Sequence, residues 1–171
     1  MGAEDNLQEA PDDFAFLGLE RQFTIASVQL DAAVARVTNQ ISATGGENTA
    51  ALQARLTAAR QRLSDPVRRG RYLLDLLAGP TDADVGDIPD SLKALDQRVA
   101  SAADPAAVSA ARSALLTERQ SRLEHVATLF SFPRNVPNPA SQWSRDSAIR
   151  NDLRAIEFID RALAQIGSRG Q

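Results

Sequence analysis

The chain has 171 residues, enough for one compact domain or two small ones, each able to bury a core. Hydrophobic residues at 43% and charged residues at 24% fit an ordinary globular chain, and a net charge of −3 argues against a nucleic-acid-binding surface, which needs a basic surplus or patch. There is no cysteine, which excludes disulfides, thiolate nucleophiles and thiolate metal ligands.

Ala, Leu, Arg, Gln and Glu dominate the composition, and all are good helix formers, so an all-α fold is expected. Residues 1–11 are acidic, polar and closed by Pro11, and read as a disordered lead rather than a signal peptide. No apolar run approaches bilayer length, so no membrane association is expected and the cytoplasm is the expected location. A short helix should follow, capped by Asp12 or Asp13, carrying Phe14, Phe16 and Leu17, and ended by Gly18. A second helix should start near Ala26 or Ser27, with Leu30, Val34, Val37 and Ile41 on one stripe. Ser42-Ala-Thr-Gly-Gly-Glu should break it. A third helix starts near Asn48 and repeats the spacing with Leu52, Leu56, Ala59 and Leu63, which predicts an antiparallel pair. Ser64-Asp65-Pro66 is a restart signal, since an oxygen accepts from free amides where proline needs no N–H. Val67, Leu74 and Leu77 form the next stripe, with Tyr72 and Leu73 beside it. Arg68-Arg69-Gly-Arg71 reads as a solvated face, too short for a basic patch.

Gly79-Pro80 ends that helix, and the polar stretch after it predicts a linker over 80–87. Leu92, Leu95 and Val99 give a short helical stripe. Asp104-Pro105 opens a long helix carrying Val108, Leu115, Leu116, Leu123, Val126 and Phe130. A proline-rich turn runs from Phe132 to Ala140, and Ile149, Leu153, Ile156, Ile159, Leu163 and Ile166 mark the last helix. Three helices with short connections predict an antiparallel bundle over 88–171. His125, the only histidine, lies mid-helix without a second histidine or cysteine to complete a site, and Trp143 is expected to pack under the proline-rich turn. No phosphate loop, nucleophile elbow or paired-acid motif is present, so no catalytic residue, metal or cofactor is assigned.

In this order of elements the chain resembles the HscB-type J-domain co-chaperones of iron–sulfur cluster assembly. The most specific stretch is Leu63-Ser-Asp-Pro-Val-Arg-Arg-Gly-Arg-Tyr-Leu-Leu74, where the family reads Leu-x-Asp-Pro-x-x-Arg-x-x-Tyr-Leu-Leu. Phe14 with Leu17-Gly18-Leu19, Phe23-x-Ile25 and Phe158-Ile159-Asp160 match further motifs, so the likeness covers roughly residues 13–167. It implies a J-domain-like helical hairpin over 12–79 followed by a three-helix bundle. In such proteins the hairpin stimulates ATP hydrolysis by a DnaK-type chaperone and the bundle holds the cluster scaffold protein.

The departures fall on the working parts. The slots of the family's His-Pro-Asp motif hold Ser42, Ala43 and Thr44, which supply neither a carboxylate nor a ring-fixed loop. The second helix, basic in the family, carries Arg36 alone, and residues 88–99 lack the family's glutamates. The expected function is therefore a non-enzymatic co-chaperone-like protein. It would bind a client or iron–sulfur scaffold protein through Leu92, Leu95 and Phe158, without stimulating a chaperone ATPase. Two alternatives stay open: a regulator that pairs with a true J-domain protein, and a structural subunit of a larger complex.

Overall fold

A computed structural model of the chain describes residues 7–44, 48–80, 87–101, 104–134 and 139–169. Every regular element among them is a helix: α1 (Asp13–Phe16), α2 (Ser27–Thr44), α3 (Thr49–Ser64), α4 (Pro66–Ala78), α5 (Asp90–Ser101), α6 (Pro105–Ser131) and α7 (Pro139–Arg169). The chain divides into two compact units, Met1–Leu73 and Leu74–Gln171, and the division falls within α4. Of the expected linker over 80–87, residues 81–86 lie outside the described residues.

In the first unit, the side chain of Asp12 accepts from the Ala15 amide at 2.9 Å and starts α1. Gly18 ends it with φ at +61°, a conformation that costs a side-chain-bearing residue free energy. A Cβ at Gly18 would also lie 2.7 Å from the Arg36 guanidinium. On α2 the buried stripe is Leu30, Ala33, Val37 and Ile41, with Val34 half-buried beside it. On α3 it is Leu52, Leu56, Ala59 and Leu63, as the spacing predicts. Asp31 near the start of α2 pairs with Arg60 near the end of α3 at 3.5 Å, so the two helices run antiparallel. Asp65 caps α4, its Oδ1 accepting from the Arg68 amide at 2.7 Å.

Several expectations are corrected here. Ser42-Ala43-Thr44 do not break α2 but form its last turn, because none of the three is a helix breaker as glycine or proline is. The Gly45-Gly46 reversal lies outside the described residues. Residues 1–6 of the expected disordered lead also lie outside them, but from Leu7 the lead is held: Leu7 is buried, and Arg55 donates to the carbonyls of Leu7 at 2.9 Å and Ala10 at 2.6 Å. Leu73, not Leu77, belongs to the α4 core, and Leu77 is exposed. Tyr72 packs within the first unit. Its ring stacks on Phe14 with centroids 5.9 Å apart, and its hydroxyl accepts from the Asp13 amide at 2.9 Å.

The largest correction concerns Arg69, read above as part of a solvated face. It is 8% exposed. Its Nε donates to the Phe23 carbonyl at 2.7 Å, its Nη1 donates to the Leu63 carbonyl at the end of α3, and its guanidinium lies over the Phe23 ring. Burial pushes its pKa below the ordinary value, against the nearby charge of Asp65.

The second unit is built on α5, α6 and α7. Leu92, Val99, Ala111, Leu115, Ala155, Ile159, Ala162 and Ile166 form its core cluster. Asp104 caps α6, accepting from the Ala107 amide at 2.8 Å. Arg119 pairs with Asp160, Arg122 with Asp152 and Arg134 with Asp146. One partner number falls as the other rises, so α6 and α7 are antiparallel. On α7, Ile149, Leu153, Ile156 and Ile159 are fully buried, each stabilising by about 1.5–3 kcal/mol. Leu116 departs from the expected α6 stripe and is exposed, Ala111 taking a buried place. Of the expected proline-rich turn, residues 135–138 lie outside the described residues and Pro139 and Ala140 open α7 instead, while Trp143 is 67% exposed.

Replacing Arg69 with leucine removes the donor from two buried carbonyls. The expected loss is about 3 kcal/mol, read as a lower urea midpoint at unchanged slope. Tyr72 supplies a pH test, because burial first, with the charges of Asp13 and Asp12 adding, raises its phenol above the ordinary value of 10.0. The unfolded chain sheds that proton from about pH 10, whereas the folded chain holds it to higher pH. Stability should thus be insensitive to Tyr72 below about pH 10 and fall as pH rises through the gap between the two values. Tyr72→Phe should abolish this part of the alkaline fall. As the only tyrosine, its ionisation can be followed directly by ultraviolet absorbance.

Candidate functional site

The first candidate surface is the outward face of α2 and its C-terminal turn. With Leu30, Ala33, Val37 and Ile41 turned inward, Val28, Gln29, Ala32, Ala35, Thr38, Asn39, Ser42 and Ala43 are left exposed. Val28 is 72% exposed, a lone apolar side chain among small and polar ones. Arg36, the one basic residue of the helix, donates from Nη2 to the Leu17 carbonyl at the end of α1. That bond runs next to the glycine that leaves room for it, and Arg36 itself stays exposed as the single positive charge of this face. Asp31, the one acid of the helix, pairs with Arg60, both well exposed, a contact worth little. The last turn of α2 holds no basic residue. This face can hydrogen-bond through serine, threonine and amide groups, but it has little charge with which to select or steer a charged partner.

The second candidate surface is the bundle. Here the reading of Leu92 as a partner contact is corrected: Leu92 is 0% exposed and sits inside the core cluster, because the stripe it shares with Val99 is the face that α5 buries. Leu95 and Phe158 are half-buried and pack against the same cluster from α5 and α7. They border a common core and keep part of their surface exposed.

A polar seam between α6 and α7 was not predicted. Asp152 is buried, accepts from Arg122 Nη1 at 2.8 Å, and lies 2.6 Å from His125 Nδ1. Arg122 also reaches Glu118 at 2.7 Å. Arg119 and Asp160 form a fork, at 2.6 and 3.3 Å. Partners 27 to 41 residues apart leave no mark on a sequence; helical spacing placed His125 on α6 but could not reveal Asp152 beside it. The seam sets the register of two helices. Among the described residues, no group of three or more His, Cys, Asp or Glu side chains is placed to hold a metal ion, and no helix is long and apolar enough to cross a membrane.

No family model matches the sequence, and no curated protein matches it. Among solved structures, the chain is similar to the chaperone HscB from Vibrio cholerae, with a TM-score of 0.72 at 21% sequence identity, over 93% of this chain and 97% of that one. The chain therefore has the HscB-type all-α fold, hairpin and bundle together, as its motifs implied.

The two kinds of bundle residue should separate on truncation. Leu92→Ala should cost about 2–5 kcal/mol in urea unfolding, as expected for a core cavity. Leu95→Ser and Phe158→Ser should each cost clearly less while altering the exposed surface.

Proposed function

We propose that this protein is a non-enzymatic, co-chaperone-like binding protein. It acts in the cytoplasm and engages a client or iron–sulfur scaffold protein through its bundle, without stimulating a DnaK-type ATPase. The HscB-type fold supports the first half of this reading. The second half rests on one observation: where the resembled family carries His-Pro-Asp, Ser42, Ala43 and Thr44 continue α2, and the helix's only cation is tied to the Leu17 carbonyl. An activating contact needs a carboxylate or a cationic face to grip the chaperone, and residues 42–44 offer no charge at all. Leu95 and Phe158 are the apolar residues proposed to meet the partner, helix against helix.

The test is steady-state ATP turnover by the DnaK-type chaperones of the same cell, measured with and without this protein and with a true J-domain protein as positive control. Turnover should stay at its basal value. Stimulation would overturn the proposal. Binding of an iron–sulfur scaffold that is weakened by Phe158→Arg supports the bundle as the partner face. Binding of a J-domain protein instead, unaffected by Phe158→Arg, would move the reading to a regulator of that protein.

A further inference from the structure

Of the eight aromatic residues, Phe14, Phe16 and Phe23 are buried, and Tyr72, Phe130 and Phe158 are half-buried. Only Phe132 and Trp143 are exposed, at 53% and 67%, the first just after the end of α6 and the second near the start of α7. The same end gathers positive charge. Arg145 donates from Nη1 to the carbonyls of Phe132 at 3.3 Å and Pro133 at 3.1 Å, while its Nε and Nη2 are sheltered from solvent and meet no acceptor among the described residues. Arg134 donates from Nη2 to Asp146 at 2.9 Å, and its Nη1 is likewise sheltered without an acceptor. Burial depresses the Arg134 pKa, Asp146 opposes that, and the charges of Arg145 and Arg150 add to it. Trp143, Asp146 and Arg150 share one stripe of α7, at offsets of three and seven. Arg134 thus has one carboxylate and two further guanidinium groups close enough to act on it, in a chain whose net charge is negative.

We propose that this end of the bundle docks an acidic segment of a partner protein, with a carboxylate on Arg145 and an apolar side chain against Trp143 and Phe132. The charge surplus selects the sign of the partner. A guanidinium lacking acceptors gains most from a bidentate carboxylate. Arg145 can turn outward to meet one, since what it gives up is a single Nη1 shared between two carbonyls. Exposed Trp and Arg together form the usual composition of a binding hot spot. This surface is separate from the one proposed above: Trp143 lies fifteen residues before Phe158 on α7, about 22 Å along the helix. It therefore stands or falls independently of the ATPase result.

The experiment is selection of a random-peptide display library on the full chain, followed by fluorescence titration of the synthetic consensus peptide. The expected consensus places Asp or Glu next to Leu, Phe or Trp. Trp143→Ala should weaken its binding by about tenfold or more. Arg145→Gln should weaken it too, Arg145→Lys should restore part of the loss, and added salt should reduce affinity. Leu77→Ala, at another exposed apolar site, should change nothing, and far-ultraviolet circular dichroism should show every variant folded. An empty selection, a consensus without acidic residues, or affinity indifferent to Trp143→Ala would each overturn the proposal. So would equal binding to single-stranded oligothymidylate sensitive to the same substitutions, which would make the site a general polyanion surface.

Discussion

The first unit depends on how its opening segment is clamped to the helices that follow. A four-residue helix has no stability of its own, since nucleation costs more than one turn of hydrogen bonds returns. Yet α1 carries Phe14, Phe16 and Leu17, all fully buried. It is held from several sides. Arg62 of α3 pairs with Asp13 and lies over the Tyr72 ring, while Tyr72 of α4 stacks on Phe14 and accepts from the Asp13 amide. Arg55 covers the Phe16 ring and holds the carbonyls before α1, and Arg21 grips Asp12 at 2.8 Å. The pattern is uniform: arginine satisfies irregular backbone that has no helical partner and shields an aromatic ring with the same planar group. Lysine, a compact point charge, could not do both, which gives a physical use to a composition with eighteen arginines and one lysine.

The second unit solves a different problem with the same residue. Its helices are long enough to stand on packing, and their apolar stripes fix which faces meet. Apolar stripes alone tolerate sliding by a turn. The pairs Arg119–Asp160, Arg122–Asp152 and Arg134–Asp146 do not, because a slip would strand partly buried charges. Desolvation limits what each pair adds to stability, so their contribution is to register more than to free energy.

What the sequence disclosed and what it withheld follow from the range of the forces involved. Helix starts set by Asp12, Asp65 and Asp104 are decided within four residues and were legible. So was the equal spacing of the α2 and α3 stripes. Positions at the edge of a stripe were not: Leu77 and Leu116 share the character of core residues but lie beyond the width that the neighbours cover. Arg69 looked like surface because charge in a basic run is usually solvated, and its acceptors, Phe23 and Leu63, are recognised only once the chain has folded. The candidate partner residues were half legible. Periodicity marks Leu92, Leu95 and Phe158 as apolar helix positions, but whether such a position faces core or partner depends on the third helix, and Leu92 went inward.

The same separation of ranges explains how the HscB-type fold is kept with Ser42, Ala43 and Thr44 at the end of α2. The side chains that stabilise the hairpin lie on inward stripes ending at Ile41 and beginning again at Leu52. Ser42 and Ala43 lie beyond the last core contact and are exposed, so their identity adds almost nothing to folding. Arg36 completes the argument. On a working chaperone-facing helix, a cation must point outward to be recognised. Here the guanidinium also closes the α1 turn, donating to the Leu17 carbonyl across Gly18, while the residue as a whole stays exposed. Arg36 is thus one positive charge on a face otherwise built of small and polar side chains, so the electrostatic character of that face does not rest on residues 42–44 alone.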